Sequence, residues 1–333
     1  MSNAPVSNKR FADFIWQGVL TADDQYAAPG RPLNVNEMKS VIVRLFDEAN
    51  RVNLDVFREM LAPDFISYGG AGFQDIKGPD AFKQLYIQFY ESLPDLAFRV
   101  THVVTEGDTC GVRGVLSGTH KGNFMGFAPP TGKFVCWTGT ALMRFNEDGL
   151  IVSRWQEWDG LSVMQQMGVI PGSPAWDANQ PDPAAPESQG AYSPPGANKA
   201  VFTQLVDELW NKDNLDFADG VFHPEAVHVG GGNLPGSQGL KAGVAMLRSA
   251  MPDLQAKFTM LLTDGDIVLG WLSQSGTQTG ALMGVPASGK KATWGRIIIA
   301  RFAGGKIVQT WSNEGVMELM QQLGVGGGAS AGA

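Results

Sequence analysis

The stretch Gly149–Val169, GLIVSRWQEWDGLSVMQQMGV, decides how the rest of the chain is read. It holds a turn, a strand, a polar corner and a short helix. Residues alternate along Ile151–Trp158, so Trp155, Glu157 and Asp159 share one face if the extended backbone continues that far. From Leu161 the apolar residues Leu161, Val163, Met164 and Met167 follow helical spacing, and Gly168 stands where a helix ends. The same construction returns near the end of the chain as Gly305–Val325, GKIVQTWSNEGVMELMQQLGV. One chain of 333 residues therefore holds two copies of one unit.

The match extends backwards from both copies. Met251-Pro252-Asp253-Leu254 answers Leu93-Pro94-Asp95-Leu96, and Asp264-Gly265-Asp266 answers Glu106-Gly107-Asp108. Ser275–Gln278 answers Ser117–His120, Trp294 answers Trp137, and Trp311 answers Trp155, all in the same order at nearly constant spacing. In the first copy, Asn34 with Glu37 forms a capping box ahead of a helix over Val35–Asn50. Two more helices are predicted over Leu54–Leu61 and Pro79–Leu93, with a short strand Phe65–Tyr68 between them. The period then changes to two. Strands over Leu96–Glu106, Thr109–His120, Lys133–Asn146 and Leu150–Trp158 are predicted as antiparallel neighbours. Each copy is thus an α+β unit. Two copies are too few for a solenoid. They are expected to pair as an intramolecular pseudo-dimer, with the linker holding them at high effective concentration.

The expected organisation is a leader at 1–33, domain 1 at 34–170, a Pro/Ala/Gly-rich linker at 171–198 lying over the surface, domain 2 at 199–325 and a disordered tail at 326–333. In the leader, Phe11–Leu20 has the pattern of one amphipathic helix. Hydrophobic residues make up 44% and charged residues 17%, as in an ordinary globular protein. A net charge of −8 argues against a nucleic-acid partner. Cys110 and Cys136 lie in apolar strand-like runs and read as buried thiols. The N-terminus lacks the apolar run of a signal peptide, and no segment approaches the ~20 apolar residues that span a bilayer. The expectation is a cytoplasmic protein with no membrane partner.

The segments SGTHKGNFMGF at 117–127, PPTGK at 129–133, Arg144-Phe145, Asp148-Gly149, Trp155, Asp159 and MQQMG at 164–168 closely resemble the SnoaL-like polyketide cyclases of the NTF2-like superfamily. The resemblance covers both halves, leaving out only leader, linker and tail. It implies two NTF2-like (cystatin-like) cones. Each would be a strongly curved antiparallel sheet wrapped by about three helices, with an apolar pocket inside and pairing through sheet faces. It implies an intramolecular aldol condensation without metal or organic cofactor. An aspartate following the last-strand Trp would be the acid/base there; Asp159 matches it, whereas the second half has Gly315.

Candidate residues carry two readings each. Asp159 is either a pocket-wall acid/base, raised in pKa by poor solvation, or the N-cap of the helix from Leu161. Glu157 shares its face and is either a second pocket carboxylate or a rim residue. His120 either serves a developing oxyanion or bonds loop backbone; its counterpart is Gln278. Arg113 interrupts an apolar strand and needs a carboxylate or an anionic substrate group, unless it faces outward. Trp137, Trp155, Tyr68 and Tyr86 either line a pocket for a flat ligand or fill a core. The loop Gly122–Gly132 has the composition of a lid. His223 and His228 have no metal-ligand spacing. The expected function is a cofactor-independent acid/base enzyme acting in domain 1 on a hydrophobic carbonyl compound. A non-catalytic binding or protein-interaction module and a hydrolase or dehydratase are the alternatives. Whether the whole chain pairs further as a homodimer stays open.

Overall fold

A computed structural model of the chain describes residues 30–68, 74–126, 128–172, 178, 182, 185, 194–229 and 235–325. The leader helix, most of the linker, Phe127 and the tail fall outside the described residues. Domain 1 runs α1 (Val35–Asn50), α2 (Val56–Met60), β1 (Leu61–Ser67), β2 (Ile76–Lys77), α3 (Pro79–Ser92), β3 (Ala97–Glu106), β4 (Thr109–Thr119), β5 (Phe134–Phe145), β6 (Ile151–Trp158) and α4 (Gly160–Met167). Domain 2 repeats it as α5 (Pro195–Val206), a π-helical turn at Asp207–Asn211, α6 (Phe217–Val221), β7 (Phe222–Val229), α7 (Gln238–Ala250), β8 (Gln255–Asp264), β9 (Ile267–Thr277), β10 (Lys291–Ala303), β11 (Lys306–Glu314) and α8 (Val316–Leu323).

Local chemistry explains the limits. The Asn34 side chain accepts from Asn36 N and Glu37 N at 3.0 and 3.1 Å, and Glu37 returns to Asn34 N at 2.9 Å, so α1 starts where the capping box stands. Gly168 closes α4 at φ 83°, a conformation glycine adopts without penalty. Helix α5 begins at Pro195, ahead of the expected start of domain 2, because proline suits the first helical turn.

The sheet orders are β2-β1-β6-β5-β4-β3 and β7-β11-β10-β9-β8. One expectation needs correction: the sheets are mixed, because β1 runs parallel to β6 and β7 parallel to β11. Those pairs are far apart in the chain and owe nothing to a hairpin turn. Register shifts at matching places, Val100/His102 and Phe258/Met260, then Arg144/Phe145 and Arg301/Phe302, bend both sheets alike. On the concave side α1 and α3 bury Met38, Ile42, Leu45, Phe82 and Tyr86.

The convex faces meet. Val104 and Leu142 of domain 1 pack with Leu262, Leu269, Ile297, Ile299 and Trp311 of domain 2. The polar contacts are reciprocal. Asp264 accepts from Thr105 N at 3.2 Å and pairs with Lys39 at 2.6 Å. The corresponding Glu106 accepts from Thr263 N at 2.9 Å and from Lys199 at 2.7 Å. This is the self-complementary pattern of a two-fold dimer, here within one chain. The linker is not merely laid over the surface. Ala178 is buried beside Val115 and Cys136, and Asp182 accepts from the Trp311 indole at 2.7 Å.

Candidate functional site

Domain 1 is hollow. A cavity of about 210 Å³ lies inside its cone. Its walls include Tyr86, Phe89, Phe98, Phe124, Trp137 and Trp158. The even-numbered residues of β6, Arg154, Gln156 and Trp158, face it. Arg154 is 8% exposed; its Nη1 donates to Ser67 Oγ at 3.1 Å and its Nη2 to Gln156 Oε1. Its guanidinium lies 5.3 Å from the Phe82 ring centre. The Nε–H has no acceptor, and no carboxylate among the described residues pairs with it. Burial pushes its pKa down, yet an arginine stays charged. The cavity is therefore a mainly apolar slot, rich in aromatic rings, with the buried Arg154 and a second arginine, Arg99, in its wall.

Domain 2 has the same strand framework and a much smaller hollow, about 50 Å³. The register explains it. Where domain 1 has Gly114, Gly139 and Ala141, domain 2 has Leu272, Arg296 and Ile298. The π-helical turn accommodates one inserted residue. Asn50 brackets the backbone of Phe98 at 2.7 and 2.8 Å, and Asn211 brackets that of Ala256 at 2.8 and 3.0 Å. The preceding residue is Ala49 in one domain and Trp210 in the other. Trp210 is fully buried and donates to Gln274 at 2.7 Å. Arg296 lies over that ring and stands 3.9 Å from Glu314. The second cone is thus filled by a tryptophan and an arginine that has its own carboxylate.

The structure distributes the sequence candidates. Trp137, Tyr68 and Tyr86 line the domain 1 cavity. Trp155 and Glu157 share a face as expected, but that face turns away from the cone toward domain 2. Asp159 is not in the cavity wall; its Oδ1 accepts from Ser162 N at 3.0 Å and caps α4. Burial raises its pKa. Arg113 also faces away from the cone. It is buried, donates to Thr101 Oγ1 at 2.9 Å, and stands 3.6 Å from Asp182, the carboxylate it needs; burial brings its pKa down to about 10.

His120 is fully buried behind Phe124, and its Nδ1 accepts from Thr131 N at 3.3 Å. Gln278 accepts from Ser288 N at 3.2 Å and donates to the Val285 carbonyl at 3.2 Å. The two residues do one job, tying down the loop that follows. That loop does not present Phe124 to solvent: Phe124 is buried against the cavity with Met125.

Sequence reasoning passed over Arg154, Gln156 and Trp158. The available signal was the size contrast between the two halves at the cavity-facing positions of the strands, Gly114, Gly139 and Ala141 against Leu272, Arg296 and Ile298.

The family model for SnoaL-like polyketide cyclases matches the chain twice, at residues 40–167 and 200–323. Among solved structures, TsrD from Streptomyces laurentii is 26% identical, with 40% of this chain and 98% of that chain covered and a TM-score of 0.38. A protein of Jannaschia sp. CCS1 is 29% identical, with 44% and 99% covered and a TM-score of 0.38. IdmH from Streptomyces antibioticus is 28% identical, with 40% and 99% covered and a TM-score of 0.36. No curated protein matches the chain. Among the described residues, no helix is long and apolar enough to cross a membrane.

Proposed function

Because the chain belongs to the SnoaL-like polyketide cyclase family, we propose that domain 1 takes a hydrophobic, carbonyl-bearing small molecule into its cone and performs cofactor-independent ring closure or isomerisation there through an enolate. One observation carries this reading: the buried Arg154, with an unused Nε–H, in a mainly apolar wall rich in aromatic rings. A preorganised cation in a dry slot stabilises a developing oxyanion far better than water does. The aromatic walls hold a flat skeleton in place. Asp159 is the proposed proton carrier in this reading because it matches the family's acid/base position; its carboxylate caps α4 behind the wall residue Trp158, which must turn aside for substrate to reach it, and burial raises its pKa.

A second reading, a binding module without turnover, is favoured by the composition of the wall. Among the described residues no carboxylate and no histidine lines the cavity.

Two measurements separate the readings. Fluorescence titration should give tighter binding of 2-naphthoate than of neutral 2-naphthamide by about tenfold, a preference that Arg154→Gln removes. Equal affinities in the wild type would take Arg154 out of the site. Asp159→Asn keeps the helix cap, because asparagine caps as well as aspartate. It is expected to melt as the wild type does and to lose turnover of any carbonyl compound that screening identifies. Undiminished turnover would remove Asp159 from the reaction.

A further inference from the structure

The two domains meet through matched surfaces, and at one matched pair the match breaks down. Asn313 of β11 reaches over β5 of domain 1. Its Nδ2 donates to Thr138 Oγ1 at 2.8 Å, and its Oδ1 accepts from Thr140 Oγ1 at 2.7 Å. The corresponding residue of β6 is Glu157, which reaches over β10 of domain 2. The positions that answer Thr138 and Thr140 are Gly295 and Ile297, and neither offers a hydroxyl. Glu157 is only 2% exposed, and its Oε2 has no hydrogen-bond partner.

Domain 2 is shaped around this carboxylate. A β-carbon on residue 295 would lie 2.0 Å from Glu157 Oε1, and one on residue 315 would lie 3.0 Å from Oε2. The latter point is also 3.3 Å from Glu318 Oε2, so carboxylates from both domains converge there. Gly315 thus makes room for an acid arriving from the other domain. Beside the acids opens a cavity of about 150 Å³, walled by Tyr68, Trp155, Trp271 and Trp294. Tyr68 stacks on Trp155 with centroids 5.0 Å apart, and Trp155 and Trp271 lie 5.8 Å apart.

A buried carboxylate without donors is costly unless a cation meets it. No lysine or arginine among the described residues forms an ion pair with Glu157. Indole faces attract cations, and most strongly where water is excluded. Calcium or magnesium would want a shell of six or more oxygens, whereas among the described residues these walls offer two carboxylates and no cluster of three metal-ligating acids, histidines or cysteines. We propose that the interdomain cavity binds a small alkylammonium ligand, with its N–H groups on Glu157 and Glu318 and its alkyl part lying against Trp155 and Trp271. Tyr68 and Gln156 border both this cavity and the cone, so the two sites share a wall. Burial, with Glu318 and Glu314 nearby, raises the pKa of Glu157, and an arriving ammonium reverses that, so binding releases a proton.

The test is calorimetric titration of the full chain with n-butylammonium, in buffers of different ionisation enthalpy, with butan-1-ol as the neutral control. Saturable one-site binding with proton release is expected for the ammonium and none for the alcohol. Glu157→Gln, which keeps the shape and loses the charge, is expected to weaken binding by about tenfold or more. Should Glu157→Gln fail to fold, Trp271→Leu carries the same expected weakening. No saturable binding to the folded wild type, or equal affinity in Glu157→Gln, would each overturn the proposal.

Discussion

Replacing Ala141 with isoleucine is expected to close the domain 1 cavity, abolish 2-naphthoate binding and raise the melting temperature. Ala141 is a buried wall residue of β5, and its counterpart in domain 2 is Ile298, which lines the much smaller hollow. Isoleucine adds three carbons to a space that is already empty. At about 0.8 kcal/mol per buried methylene the gain approaches ~2 kcal/mol. Ordering the side chain takes back about 0.5–1 kcal/mol, so the net is roughly 1–2 kcal/mol. A β-branched residue suits a strand, so the backbone resists nothing. The paired outcome matters. Loss of binding with a higher melting temperature means that the hollow is functional space left unfilled. Undiminished naphthoate affinity would place the ligand outside this cone. A fall in stability would mean that the cavity walls are too rigid to accept the added volume.

The fold was legible because its signals are local or repeated. The Asn34–Glu37 box, Gly168 and the doubled motifs each act through neighbouring backbone or through spacing, and α1 and α4 lie where those signals put them, whereas β1 starts at Leu61, four residues ahead of the expected strand. The orientation of β6 was not legible. Parity grouped Trp155 with Glu157 as the structure does, yet it could not say which face looks into the cone. In a strand with water on one side, burial alternates. Here one face of β6 meets the cavity and the other meets domain 2, so both carry aromatic and charged residues, and the alternation loses its meaning.

Two contrasts between the halves that read as chemistry in the sequence also carry packing roles. His120 and Gln278 differ in titration and agree in their task of holding a loop. Gly315 stands where domain 1 has Asp159, and it also leaves room for Glu157, 158 residues away and beyond the reach of any local pattern. The contrast that bears on the cavity was one of size: Gly114, Gly139 and Ala141 against Leu272, Arg296 and Ile298.

Glu157→Gln is expected to stabilise the protein at neutral and alkaline pH while changing little in acid. Burial, Glu318 and Glu314 raise the pKa of Glu157 in the folded chain above its ordinary 4.5. Of these neighbours Glu314 has Arg296 beside it, at 3.9 Å, and Glu318 is itself raised by burial. Tyr68 and Trp271 complete the surroundings. Between the unfolded and the folded pKa, the folded state keeps a proton that the unfolded state has released. The unfolded state then binds fewer protons, so this residue's contribution to stability falls as pH rises through that window and levels off above the folded pKa. Glutamine has no such window. The variant and the wild type should therefore coincide near pH 4 and diverge as pH rises, with the variant ahead by about 1–3 kcal/mol, the usual cost of an unsatisfied buried polar group. Urea denaturation at several pH values reads the difference directly, and comparing the two proteins cancels the opposite trend from carboxylates whose pKa is lowered, such as Asp95 and Asp253. A gap independent of pH, or a wild type ahead at pH 8, would show that the carboxylate has found a partner. Saturating n-butylammonium is expected to narrow the gap by stabilising only the protein that binds it, because a ligand of the folded state adds RT ln(1 + [L]/Kd).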